Sequence, residues 1–164
     1  MQRRRLIAFG GTAALLPILL PASLPAWAHH GWSSFDTDRP IYLEGTARKV
    51  VWRNPHAELD LQLPPGGLKL PADLAQRPFP AQSAQVDGKR LLGAAQLPTR
   101  KDAVWHIELA PLTRLQSWSV AEIKDGDAVS VLGFTFAQEK GEAIVRAEYL
   151  FVAGKAYGLR SAPA

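Results

Sequence analysis

From Ile41 onward, apolar and polar side chains alternate in short runs that predict β-strands. The first run, IYLEGTARKVVWRN, is long, and its parity changes partway. Leu43, Gly45 and Ala47 fall on one face, Val50 and Trp52 on the other. The change around Arg48 and Lys49 predicts a β-bulge, where a strand bends and re-aims its side chains. HAELDLQL alternates cleanly, placing Ala57, Leu59, Leu61 and Leu63 inward and His56, Glu58, Asp60 and Gln62 outward. Asn54-Pro55 between the two runs is a turn signal, so they form a hairpin. AVWHIELA supplies a third strand, with Trp105, Ile107 and Leu109 on one face. PLTRLQSWSVAEI opens on a proline that a first helical turn accepts. Leu112, Leu115, Trp118 and Ile123 give it a helical apolar stripe. A turn on Asp125-Gly126 leads into AVSVLGFTF, and EAIVRAEYLFVAG is the last strand.

Five strands with one helix between the third and fourth, and a long bent first strand, predict a mainly β fold. The order is that of a small five-stranded OB-like Greek-key barrel with one short helix; an open sandwich of the same strands is the alternative. The barrel domain is placed at residues 41–154, with a tail at 155–164. Residues 64–102 are a long Pro/Gly-rich insertion, longer than connections usual in compact domains. Within it, Val86 to Leu92 reads as a small hairpin around Asp87-Gly88, and the basic residues Lys69, Arg77, Lys89, Arg90, Arg100 and Lys101 read as a solvated face.

The front of the chain follows another pattern. MQRRR precedes an apolar run, and Ala26-Trp27-Ala28 has the small-x-small form of a signal-peptidase site. Residues 1–28 are therefore expected to be a signal peptide, by the general secretory or the twin-arginine route, leading to the periplasm. Gly10-Gly11, Pro17, Pro21 and Pro25 break the run, so no stable membrane span is expected. Residues 29–40 form an arm ahead of the barrel. The net charge of +4 owes three arginines to the leader, and the remaining basic residues nearly balance the 15 acidic ones. A nucleic-acid partner is therefore not expected. With no cysteine there is neither a disulfide framework nor a thiolate metal site.

AHHGWSSFD, LEGTARKVVWRNPHAELDL, WHIELAP and IKDGDAVSVLGF are similar to successive blocks of a family of small exported bacterial proteins, a domain-of-unknown-function family. The Asn54-Pro55-His56 block with Trp52 is the most specific part. The resemblance implies a single small β-barrel outside the cytoplasm and no established activity. The 64–102 segment departs from the shorter connection it would imply.

Cleavage after Ala28 would place a free α-amino group beside the His29 ring, with His30 next. Amine and imidazole titrate near 7.7–8.0 and about 6.5, so a metal ion can displace their protons near neutral pH. Nitrogen donors suit copper(II) or a similar divalent ion, with His56 or His106 as a further ligand. At ~3.4 Å per residue, His56 and His106 stand far apart for one ion if their strands pair antiparallel. No nucleophile motif such as Gly-x-Ser-x-Gly surrounds a serine, so an enzyme is not expected. Trp32, Phe35, Trp52 and Asn54 are candidate binding residues, although Trp32 and Phe35 also suit tucking the arm against the barrel. The expected function is an exported protein that binds copper or another divalent metal through His29. The alternative is a metal-free module that holds a periplasmic protein partner or an oligosaccharide by its barrel face or insertion.

Overall fold

The computed structural model describes residues 32–164. The signal-peptide expectation, His29 and His30 all lie outside the described residues. Six strands and two short helices follow in order: β1 (Ile41–Val51), β2 (Glu58–Gln62), α1 (Gly88–Gly93), β3 (Val104–Glu108), α2 (Leu112–Ser117), β4 (Ala128–Phe134), β5 (Ile144–Val152) and β6 (Lys155–Gly158).

β1 serves two partners. Its first half pairs antiparallel with β4, from Ile41↔Gly133 to Thr46↔Ala128. Its second half pairs with β2, from Thr46↔Gln62 to Val51↔Glu58. The register slips between Arg48 and Val51, and Lys49 takes a positive φ of 45, so the expected bulge is present. β2 pairs with β3, and β3 closes the ring by running parallel to β5, with His106 beside Ile144. The strand circuit β1-β2-β3-β5-β4 is a closed five-stranded barrel of the OB-like order, with α2 between β3 and β4.

Alternation explains the interior. Leu43, Leu59, Leu61, Trp105, Ile107 and Val131 are buried there, and Leu115 and Ile123 from the α2 region close the barrel. Two glycines mark where backbones come too close for a side chain. A Cβ on Gly45 would sit 2.2 Å from the Gln62 carbonyl oxygen, where β1 passes from β4 to β2. One on Gly133 would sit 2.2 Å from the Arg146 carbonyl oxygen, at the irregularity where Leu132 faces Tyr149 but Gly133 faces Ala147.

The insertion builds a second core on the outside of the barrel. Leu74, Leu91, Leu92 and Ala95 bury against Tyr42, Leu132, Phe134, Ile144 and Tyr149, so β4 and β5 are covered on both faces. Each buried leucine contributes about 2 kcal/mol of gross hydrophobic stabilisation. The hairpin expected at Val86–Leu92 is instead helix α1. Asp87 is its N-cap, accepting the Arg90 N–H at 2.9 Å, and Leu91 and Leu92 face the second core. Asp-Gly here starts a helix because the residues after it bury an adjacent leucine pair, which an alternating strand would split between two faces.

The insertion is also fastened by polar contacts. Glu139 accepts the Thr99 and Arg100 backbone N–H groups at 2.9 Å and pairs with Arg39. Arg100 donates to the carbonyls of Glu139 and Gly141 at 2.9 and 2.8 Å and pairs with Asp102. Arg100 therefore departs from the solvated face expected of the insertion's basic residues. The segment expected as a tail supplies β6, which pairs with β5, and buries Tyr157 and Leu159. Among the described residues no helix is long and apolar enough to cross a membrane.

Candidate functional site

A groove of about 1130 Å³ runs over the outer wall of the barrel. Its floor comes from the outward positions of neighbouring strands: Thr46 of β1, Ala128 and Ser130 of β4, and Phe151 of β5. These residues stand where the second core stops, so the wall that Leu74 and Leu92 cover further along is open here. Pro64 and Pro65, leaving β2, form one rim; Arg77-Pro78 of the insertion and the Ala153-Gly154 turn with Lys155 form others. A second depression of about 400 Å³ shares Pro78, Lys155 and Ala156 with it and adds Phe79, Pro80, Trp118 and Tyr157.

The groove lining carries Arg48, Arg77 and Lys155 against a single acid, Glu44. Glu44 accepts the Tyr42 hydroxyl at 2.8 Å. Burial raises the Tyr42 pKa and the Glu44 carboxylate adds to this, against the lowering effect of Ser130 and Arg77 contacts. Arg77 is held above its ordinary value by its hydrogen bonds to Asp73, 3.0 Å away, whose own pKa is correspondingly lowered. Its guanidinium also lies 5.7 Å from the Phe151 ring centroid. The groove is therefore apolar at Phe151 and the prolines, hydrogen-bonding at Thr46 and Ser130, and cationic at its margins.

The two histidines among the described residues, His56 and His106, are not gathered. His106 lies on the outer face of β3, opposite Asp60. Its Nδ1 is 3.4 Å from Asp60 Oδ1 and its Nε2 3.6 Å from Glu58 Oε2. Asp60 also takes Lys49 Nζ at 2.9 Å. His56 sits beyond the other end of β2, where Ala57 exchanges backbone bonds with Leu109 and Ala110. Four positions separate His56 from Asp60, roughly 13 Å along an extended chain, so the two rings do not share one ion. Among the described residues, no three His, Asp or Glu side chains are grouped to hold a metal.

The aromatic candidates are brought to different places. Phe35 is buried, stacks on Phe136 at 5.1 Å and bridges to it through the backbone. Trp32 meets Phe134 edge-on at 6.3 Å and lies under two guanidinium groups, Arg160 at 3.7 Å and Arg146 at 5.2 Å. Both residues thus fasten the arm to the barrel. Trp52 packs partly buried against the inner core, and Asn54 is exposed in the β1–β2 turn, before a cis Pro55. None of the four lines the groove.

Alternation alone does not mark Arg48 and Phe151 as site residues, since a strand's outward positions read as solvated whether or not a second wall stands beside them, and Arg77 and Lys155 fall in segments read as an insertion and a tail. One signal is present. Tyr149, Leu150, Phe151 and Val152 are four apolar residues in succession, and a strand with one solvated face has no need of them.

A family model, described as a family of unknown function (DUF6152), matches residues 17–68. The match takes in two of the four blocks named above, AHHGWSSFD and LEGTARKVVWRNPHAELDL; WHIELAP and IKDGDAVSVLGF lie beyond it. No curated protein and no solved structure matches the chain.

Proposed function

We propose that the chain is an exported binding module, not an enzyme, and that it holds a protein segment or an oligosaccharide in the groove on its outer wall. The observation that carries this reading is the groove itself. It is about 1130 Å³, somewhat more than the roughly 300–1,000 Å³ usual for a small-molecule pocket and so roomy enough for a chain-like ligand, and it combines apolar walls with a few convergent polar groups. Export rests on the leader pattern of residues 1–28. The test is a titration of isotope-labelled protein with charged peptides and with neutral and uronic oligosaccharides, followed by amide chemical shifts. Shifts gathered on Thr46, Ser130, Phe151 and Ala156, and abolished by Ala128→Trp, are the expected result. Ala128 is exposed on the groove floor, so an indole there fills the space without entering either core. Shifts elsewhere, or shifts indifferent to that substitution, sink the reading.

A second reading keeps copper or another divalent ion at a processed His29 terminus with His30. The observation that favours it is the anchorage of Trp32, three residues after His29, on Arg160 and Phe134. A terminus fastened so near is better organised to chelate than a free one. Copper(II) titration of protein beginning at His29, and of protein with one added residue ahead of it, tests this. Tight binding in the first and its loss in the second are expected; equal binding in both removes the site.

A further inference from the structure

We infer that the occupant of the groove is an extended, acidic polypeptide segment that adds as a strand to the open edge of β6. This rests on the groove reading above and specifies its ligand.

The first argument is the ladder. β5 and β6 join through Ala153-Gly154, both at positive φ (50 and 73), with Val152 facing Lys155. In a two-residue hairpin with both loop residues in that region, the flanking pair exchanges both its backbone bonds. Antiparallel alternation then points the N–H and C=O of Ala156 away from β5. Among the described residues no strand pairs with that side of β6. The edge is short, because the Gln82 side chain lies against Gly158 and Gln82 bridges to Pro163.

The second argument is what flanks this edge. The depression along Lys155, Ala156 and Tyr157 is walled by Pro78, Phe79 and Pro80 on the insertion and by Trp118 after α2. Phe79 is among the exposed large apolar side chains. An added strand presents side chains to alternate sides, so its apolar positions meet these walls while its backbone bonds to Ala156. The depression opens into the larger groove at Pro78, Lys155 and Ala156, which gives such a strand room to continue.

The third argument is charge. Arg48 and Lys155 line the groove, and neither forms an ion pair with a described carboxylate, whereas Arg77, the third lining cation, is already paired with Asp73. Glu44 is the one acidic side chain lining it. Two uncommitted cations favour glutamate or aspartate at the polar positions of the incoming strand. A lysine on a short edge is also how sheets resist pairing with copies of themselves, and an acidic strand is the partner that such a lysine does not repel.

The experiment uses a fluorescein-labelled heptapeptide that alternates glutamate with valine and phenylalanine, read by anisotropy against the full chain. Four comparisons accompany it: lysine in place of glutamate, N-methylation at every second amide in each of the two registers, Ala156→Pro and Ala128→Trp. The expected result is saturable binding of the acidic peptide, at least tenfold weaker with the lysine peptide and with one methylation register only. Ala156→Pro should weaken it similarly, since proline removes the outward N–H and edge strands tolerate it. Circular dichroism and the thermal midpoint establish that this variant folds; if it does not, the methylated peptides carry the same comparison. Binding indifferent to both methylation registers overturns strand addition, and if Ala128→Trp still abolishes it the groove reading survives. Equal binding of the lysine peptide overturns the acidic preference. No binding of the acidic peptide overturns the inference outright; uronic oligosaccharide shifts on the groove floor would then leave the groove reading standing, and their absence would remove both.

Discussion

The guanidinium of Arg160 lies 3.7 Å from the ring centroid of Trp32. Its other face of contact is Glu148, whose carboxylate takes Nη2 at 2.6 Å and Nε at 2.8 Å and has no solvent exposure. One cation therefore joins the arm, through Trp32, to a buried acid in β5. The acid sits where Leu132 pairs with Tyr149 and Gly133 with Ala147, so it is the extra residue of an irregular ladder, turned to a site that only a cation makes tolerable.

Removing that cation is expected to be costly. Arg160→Ala leaves Glu148 with only the 3.4 Å contact to Gln82 and should lower the unfolding free energy by about 3 kcal/mol, the scale for breaking a buried pair. Replacing both partners, Arg160→Leu with Glu148→Leu, should recover most of the loss, because the cost comes from the unpaired charge. Urea unfolding of the two variants decides it; equal losses would mean that the pair itself supplies the stability.

Trp32→Ala isolates the other half of the clamp. The stacked cation is worth about 1 kcal/mol at a half-exposed position, and the edge contact with Phe134 adds a similar amount. The arm should then become cleavable by protease at Ser33 and Ser34 while the barrel stays folded. Unchanged protection of that segment would assign the anchorage to Phe35 and Phe136 instead.

Glu139 sets a pH dependence. Burial pushes its pKa upward, but the Thr99 and Arg100 backbone N–H groups and the Arg39 guanidinium outweigh burial and hold it below the ordinary carboxylate value. Its stabilisation is therefore present above the unfolded-state value, about 4.3 for a glutamate, and fades as pH falls through the lower folded-state value. Thermal midpoints measured downward from neutral pH should fall across that acidic window, and Glu139→Gln should flatten this part of the curve. Because the carboxylate ties the end of the insertion to the β4–β5 connection, proteolysis of 64–102 should begin at a higher pH in the variant than in the parent.

The inner barrel was legible where its strands, β2 and β3, are buried on one face only. Leu59 with Leu61, and Trp105 with Ile107, stand at a spacing of two with polar neighbours between, and that spacing assigns the face without further knowledge. The slip near Lys49 was legible for the same reason, since a parity change has few other meanings. The second core escaped because its partners come from distant segments: Leu92 and Leu132 are 40 positions apart, and neither predicts the other. Asp87-Gly88 escaped because the same pair serves a turn or a helix start, and only the burial of Leu91 and Leu92 decides between them. The groove was the least legible feature, being the space left between two layers of which only one followed from alternation.

The second core should behave as structure rather than as a loop. Leu92 is buried against the barrel wall, and Leu92→Ala is expected to cost about 2–4 kcal/mol through lost burial and a residual cavity. A floppy insertion would return a change within about 0.5 kcal/mol, the scale of surface substitutions. Equilibrium unfolding followed by tryptophan fluorescence separates the two, because Trp105 lies in the inner core and reports the barrel.

Two glycines give the sharpest contrast in how tightly the chain is built. Gly133 lies at the β4–β5 irregularity, where an added Cβ meets the Arg146 carbonyl oxygen at 2.2 Å and a Val145 methyl at 2.7 Å. The obstruction is backbone held in a ladder, so it cannot rotate away as a flexible side chain would. Gly66, by contrast, sits by the rim prolines with nothing within 4 Å of an added Cβ and no positive φ. Gly133→Ala should therefore destabilise by about 3 kcal/mol or more through overpacking, while Gly66→Ala should be neutral or slightly stabilising by restricting the unfolded chain. Thermal melts of the pair check this directly. A neutral Gly133→Ala would mean that β4 and β5 do not approach closely there, and with that the position of Glu148 and its hold on Arg160 would fall as well.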